Sequence, residues 1–123
     1  MSVRKSLLVV EDNFLIAAEL ATALLRHGYE IVGTATTMET ATDLVSRARY
    51  DAVLLDVDLG GAATTAIAEA LNGRGVPFVV VTGSGREKLP PAFQAAPYIP
   101  KPYSVRILVD ALDLIGKTSI RTN

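Results

Sequence analysis

The chain has 123 residues and a mass of 13.0 kDa, half of it hydrophobic and a fifth charged, with 12 basic and 13 acidic side chains, one histidine and no cysteine. That length accommodates one domain with a core that needs no disulfide or structural metal, and the missing cysteines exclude thiolate zinc sites, thiol nucleophiles and redox pairs. A net charge of -1 and a pI near 5.8 lack the basic patch of a nucleic-acid binder, and no apolar run approaches the ~18–20 residues that span a bilayer.

The reading is therefore a soluble, cytoplasmic single domain over 1–123, with an ordered core over about 5–116 and neither nucleic acid nor membrane as partner. Short β-rich runs alternate along it with helical periodicity. Leu7 to Val10 is the first strand, continuous rather than alternating, as expected of a strand covered on both faces. Asn13 to His27 places Ile16, Leu20 and Leu24 on one helical stripe and stops at Gly28, a suitable left-handed terminator. Ile31 to Ala35 is the second strand. Thr36 and Glu39 stand at capping-box spacing before Ala41, Leu44, Val45 and Ala48, an i, i+3, i+4, i+7 series. Met38, at the start of that helix, reads as core or staple. Ala52 to Leu55 is the third strand, Ala62 to Asn72 a third helix closed by Gly73, and Pro77 to Val81 the fourth strand.

Arg86 to Ala96 breaks the alternation. Pro90 and Pro91 lack amide protons and disfavour helix in the residue before each, which leaves at most a short turn around Ala92 to Gln94. With Gly83 and Gly85 ahead of it, this segment is expected to have few buried contacts and to open locally at low cost; the alternative is a rigid loop anchored by Leu89 and Phe93. Pro97 to Ile99 is a weaker fifth strand. Ser104 caps a last helix whose Val105, Leu108, Val109 and Leu112 form a buried stripe before Gly116, and the polar Lys117 to Asn123 is expected to fray. The fold class is α/β: right-handed crossovers and two covered faces favour a five-stranded parallel sheet with helices on both sides.

In such a sheet, function sits at the carboxyl ends of the strands. The first strand runs into Glu11 and Asp12, the third into Asp56 and then Asp58, the fourth into Thr82 and the fifth into Lys101. Converging carboxylates repel unless a cation or a lysine neutralises them, and oxygen ligands in this number suit Mg²⁺ or Mn²⁺ rather than a soft metal. Taken singly, Glu11 and Asp12 can be helix caps and Asp56 the end of a strand; their joint occurrence with Thr82 and Lys101 at four strand ends argues for a site.

The segments LLVVEDN, VLLDVDL, VVVTGS and YIPKPYS resemble the receiver domain of two-component response regulators, over essentially the whole chain. The resemblance implies a doubly wound sheet of order 2-1-3-4-5 with a fourth helix that is short or disordered. It implies Asp56 as phosphoacceptor, with Mg²⁺ held by Glu11, Asp12, Asp56 and the backbone carbonyl of Asp58. It implies also that Lys101 pairs with the phosphoryl group, that the Thr82 hydroxyl bonds it, that Tyr98 is the switch aromatic and that the Lys101–Pro102 peptide is cis. The implied partners are a sensor histidine kinase or phosphotransfer protein and a downstream protein in phosphorelay signal transduction. No enzyme activity is implied beyond Mg²⁺-dependent self-phosphorylation and slow autodephosphorylation. These residue types suit the chemistry, because a carboxylate can attack phosphorus to give an acyl phosphate while cations offset the transferred charge. His27, beside Gly28 at a helix end, reads as structural, so the phosphoryl group comes from elsewhere.

The stretch PFVVVTGSGREKLPPAF with PYIPKPY is also similar to an alphaproteobacterial subgroup of receivers with a shortened or disordered fourth helix; Phe78 and Thr82-Gly83 match, whereas Val81 stands where that subgroup has Ala. In that subgroup the partner kinases often form a divergent histidine-kinase class. Two other readings stand beside the receiver. Asp56-Val57-Asp58 resembles the D-x-D pair of haloacid-dehalogenase-like phosphatases, against which stand Gly60, the position after the third strand and a length too short for a cap domain. The other is a degenerate receiver that binds partners without phosphorylation, against which stands the retention of Glu11, Asp12, Asp56, Thr82 and Lys101 together. Tyr98 reads equally as a packed aromatic with its hydroxyl at solvent, and Tyr103 as a contact residue or a cover for the last helix.

Overall fold

A strand sends successive side chains to opposite faces. In β1 (Lys5–Val10), Leu7 and Val9 enter one apolar cluster while Leu8 and Val10 enter another, so both faces of the sheet require cover. The computed structural model, which describes residues 5–120, shows what covers them. On the Leu7 face lie α1 (Phe14–Arg26), through Leu20 and Leu24, and the last helix, through Leu108, Val109 and Leu112. The Leu8 face is covered by the helices that follow the second and third strands. β2 (Tyr29–Ala35) is followed by α2 (Met38–Arg47), which contributes Ala41 and Val45. β3 (Ala52–Asp56) leads through a small antiparallel ribbon, β4 (Asp58–Leu59) and β5 (Ala62–Ala63), into α3 (Thr65–Gly73) with Ile67, Ala68 and Leu71. The chain closes with β6 (Phe78–Thr82), β7 (Tyr98–Pro100) and α4 (Val105–Ile120).

The five long strands are all parallel, in the order β2-β1-β3-β6-β7. Counted along the chain without the ribbon, this is the expected order 2-1-3-4-5. Because β1, β3, β6 and β7 all point the same way, the residues after Val10, Leu55, Val81 and Ile99 emerge at one rim.

Several local expectations are corrected. Ile16 is not on the buried stripe of α1; Ala17 joins Leu20 and Leu24 there, and Ile16 stands at the surface with the exposed Phe14 and Leu15. The cap of α2 is Thr37, one residue later than the Thr36–Glu39 spacing suggests, with its hydroxyl accepting from the Thr40 N–H at 3.1 Å. α3 begins at Thr65 rather than Ala62, because Gly60 and Gly61 adopt φ of +64° and +90° and turn the chain into the ribbon. The turn after α3 is made at Gly75, φ +70°, not at Gly73, which is helical. Gly116 does not stop the last helix, which continues to Ile120; of the stretch expected to fray, residues 121–123 lie outside the described residues. Gly28 does adopt the left-handed conformation, φ +94°, and Ser104 does cap α4, its hydroxyl accepting from the Ile107 N–H at 3.2 Å.

The segment between β6 and β7 is short-turned, as its prolines require, but it is not loosely held. Two 3₁₀ turns, Arg86–Lys88 and Pro91–Phe93, replace a helix. Leu89, Phe93 and Ala96 are buried with the α2 and α3 cluster. The Gln94 side-chain amide donates to the carbonyls of Arg86 (3.1 Å) and Leu89 (2.8 Å), and Asn72 of α3 donates to Ala92 at 2.8 Å. The expectation of few buried contacts is thus overturned, since Leu89 and Phe93 are seated in the core. Phe93 is 0% exposed, so Phe93→Ala should remove about 3–5 kcal/mol of stability, read as a lower urea midpoint at unchanged slope. A loss below ~1 kcal/mol would show that the anchor is not seated.

Candidate functional site

The rim at the carboxyl ends of the strands collects the ionisable residues. Val10 is paired on both sides, with Ala35 of β2 and Leu55 of β3, so the turn that follows it is delivered to the centre of the sheet. There Glu11 is 3% exposed, its main-chain N–H donating to Ala35 O at 3.0 Å and its Oε2 accepting from the Asn13 N–H at 2.9 Å. Asn13 in turn caps α1, accepting from the Ile16 N–H at 3.0 Å. Asp12 is exposed, and its Oδ2 accepts from the Gly60 N–H at 3.2 Å.

Asp56 ends β3 and is 3% exposed. Its Oδ1 accepts from the Asp58 N–H at 3.1 Å and its Oδ2 from the Lys101 ammonium at 3.0 Å; the same ammonium lies 3.8 Å from Glu11 Oε1. Lys101 is held by the next layer of sheet bonding, its N–H donating to Thr82 O at 2.8 Å, and the Lys101–Pro102 peptide is cis. Glu11, Asp12 and Asp56 bring one carboxylate oxygen each within 4.8 Å of one another. All are hard oxygen donors gathered at one rim of the sheet, and they fit a small divalent cation such as Mg²⁺ or Mn²⁺.

Electrostatics separate the three acids. Burial pushes the Glu11 carboxyl up, opposed by the Asn13 N–H and reinforced by the charge of Asp56. Burial likewise pushes Asp56 up, against the lowering effect of its bond from Lys101. Asp12, in solvent, is pulled down, first by the Gly60 N–H. At Lys101 burial acts to lower the value, but the hydrogen bond and charge of Asp56, with the charge of Glu11, outweigh it and hold the ammonium above its usual range. Burial thus dominates at Asp56, and pairing dominates at the more exposed lysine.

Of the remaining expected residues, Thr82 is buried and its Oγ1 accepts from the Ser84 N–H at 3.0 Å. Asp58 presents its N–H to Asp56 and leaves its side chain exposed. Tyr98 does not join the carboxylates: its hydroxyl donates to Ser84 O at 2.8 Å in an exposed bond, and the Arg86 guanidinium lies 5.8 Å from its ring centre. His27 is structural, its Nδ1 2.9 Å from Ala23 O in the last turn of α1. Met38 packs against the α2 and α3 cluster.

Two contributors escape sequence reasoning, and a third was noticed without a role. The Gly60 N–H and the Thr64 hydroxyl, which donates to Asp56 O at 2.8 Å, act through main-chain groups and leave no motif. Tyr103, two residues beyond Lys101, is half-buried against the α1 and α4 cluster, where burial and then the charge of Glu11 raise its phenol. Its position in YIPKPYS was a visible signal without a direction.

Because the Glu11 and Asp56 carboxyls are raised, the folded chain favours their protonated forms. Their contribution to stability is fullest below the ordinary carboxylate range and is lost as pH rises through the raised values. In metal-free buffer, Glu11→Gln should therefore melt higher than the native chain at pH 7, by about 1 kcal/mol or ~4 °C. The gap should close toward pH 4; a gap independent of pH would contradict this account of the charge.

The model of the response regulator receiver domain matches residues 7–113. PdtaR of Mycobacterium tuberculosis, a transcriptional regulatory protein, is 32% identical over 117 residues, covering 92% of this chain and 57% of that protein. The sensory transduction protein RegX3 of Mycobacterium bovis is 35% identical over 108 residues, 85% of this chain and 47% of that protein. The chain thus spans about half the length of these relatives. Among solved structures, SdrG of Sphingomonas melonis is 37% identical with a TM-score of 0.76, covering 92% of this chain and 97% of that one. A CheY-like receiver of Methanospirillum hungatei, 23% identical with a TM-score of 0.83 over 95% of this chain and 97% of that one, shares the fold.

Proposed function

As a member of the response regulator receiver domain family, a family of signalling modules rather than enzymes, this chain leaves no place for the phosphatase reading of Asp56 and Asp58, and we propose that it accepts a phosphoryl group on Asp56. The donor is a phosphohistidine of a sensor histidine kinase or phosphotransfer protein, the response passes to a downstream protein, and the setting is the cytoplasm. Residues 1–123 form a single receiver domain. The observation that carries the reading is the Lys101 ammonium 3.0 Å from the buried Asp56 carboxylate, which clusters with those of Glu11 and Asp12.

Glu11, Asp12 and Asp56, with the backbone carbonyl of Asp58, would hold Mg²⁺ or Mn²⁺. When bound, the cation neutralises charge on the transferred group. The chain's own residues do the rest. Two carboxylate oxygens offer about four lone-pair sites, so Asp56 keeps electron pairs available beside its bonds from Lys101 and Asp58. One of them attacks phosphorus; the P–N bond of the phosphoimidazole breaks, its electron pair stays on the histidine ring nitrogen, and an aspartyl phosphate remains. No general base is needed, because a carboxylate attacks in its ionised form without giving up a proton in the step. Lys101 faces the developing charge throughout.

The switch is supported by a shared partner. Thr82 Oγ1 accepts from the N–H of Ser84, and Tyr98 donates to the carbonyl of the same residue. When the Thr82 hydroxyl gives its own proton to a phosphoryl oxygen, Ser84 shifts with it, and Tyr98 loses or renews its bond. A local bond change at the rim is thereby carried to the β7 edge.

Incubation with acetyl phosphate and Mg²⁺ should add one phosphoryl group by intact mass, and Asp56→Asn should add none; equal labelling of the two would overturn the assignment. Asp12→Asn should weaken Mg²⁺ binding at least about tenfold, followed by calorimetry. An unchanged titration would remove Asp12 from the ligand set.

A further inference from the structure

We infer that Thr64 is a positioning residue for the cation and phosphoacceptor site, an inference that rests on the reading of that site given above. Its hydroxyl holds the peptide run from Asp56 to Asp58 in the geometry that presents both the Asp56 carboxylate and the Asp58 carbonyl. Thr64 occupies the N-cap position of α3, where a threonine hydroxyl ordinarily accepts from an N–H of the first turn, yet its side chain makes no capping bond. It is 0% exposed, and its hydroxyl donates inward, to Asp56 O at 2.8 Å, with Val57 O at 3.2 Å. The Thr64 N–H also donates to Val57 O at 2.8 Å.

These bonds clamp one end of the β4–β5 ribbon to the phosphoacceptor. At the turn between the two strands, the Gly60 N–H clamps it to Asp12. The carboxylates and the expected carbonyl ligand therefore belong to one hydrogen-bonded frame, and the Thr64 hydroxyl is its only side-chain donor to the Asp56 main chain among the described residues. A role in packing alone would be served by valine, which has the same shape; a role in helix capping would leave the hydroxyl facing α3. Neither accounts for a buried proton directed at the carbonyl of Asp56.

Two pairs of proteins differing by that hydroxyl test the inference: the native chain against Thr64→Val, and Thr64→Ser against Thr64→Ala. With Mg²⁺ alone as probe, amide chemical shifts give the dissociation constant, and a thermal melt of each variant reports folding. Loss of the hydroxyl should weaken Mg²⁺ binding about tenfold in each pair, with Thr64→Ser close to native. Should Thr64→Val not fold, the serine and alanine pair carries the comparison by itself. Binding within twofold across a pair, while the native chain binds Mg²⁺, overturns the positioning role and leaves the site intact. A native chain that does not bind Mg²⁺ overturns the reading of the site, and this inference with it.

Discussion

Glu11, Asp12 and Asp56 place three carboxylates within 4.8 Å of one another, two of them almost wholly buried. At an effective dielectric of ~20, unit charges ~4 Å apart interact by about 4 kcal/mol, a large fraction of the 5–15 kcal/mol by which domains are usually stable. The arrangement persists because Lys101 is brought to it. That lysine comes from the far edge of the acidic group, beyond β7, and reaches Asp56 only because β6 pairs with β7 and the Lys101 N–H bonds Thr82 O. The acidic rim thus depends on the sheet order: the acids need the fourth and fifth long strands in register to receive their lysine.

The strands were legible because burial on both faces writes them as continuous apolar runs, and the site was legible because its acids, threonine and lysine each follow such a run directly. What could not be read depended on contacts between distant residues. Ala17 rather than Ile16 faces the core because the helix sits a fraction of a turn away from the stripe that hydrophobicity alone selects. The second strand of the ribbon, Ala62 and Ala63, looked like the start of a helix, since alanines and threonines carry little signal against one, and it was the consecutive glycines that redirected the chain. The segment from Arg86 to Ala96 was read correctly as unable to form a full helix. Its burial was not, because absence of helix says nothing about burial: Leu89 and Phe93 pack with the α2 and α3 cluster.

That packing alters how the rim is connected to the rest of the molecule. Arg86, Leu89, Gln94 and Ala92 are tied to one another or to α3, so the two 3₁₀ turns form a single braced unit beside β7. Ser84 stands at its entrance and bonds both Thr82 and Tyr98. A regular helix would satisfy its carbonyls within its own backbone, whereas here the Gln94 and Asn72 side chains do so.

The strand order has a consequence for the growing chain. β1 lies inside the sheet and pairs with both β2 and β3, so the first three strands and their helices can assemble before β6 and β7 have emerged from the ribosome. That early portion already carries all three clustered carboxylates, and it must tolerate them without their lysine. β7 and Lys101 follow the buried anchor at Phe93, ahead of α4, so charge compensation comes after the acids have been made rather than with them. A nascent chain stalled before residue 101 would hold a nearly complete sheet with an uncompensated acidic rim, a species with affinity for cations but without the ammonium that completes the pocket.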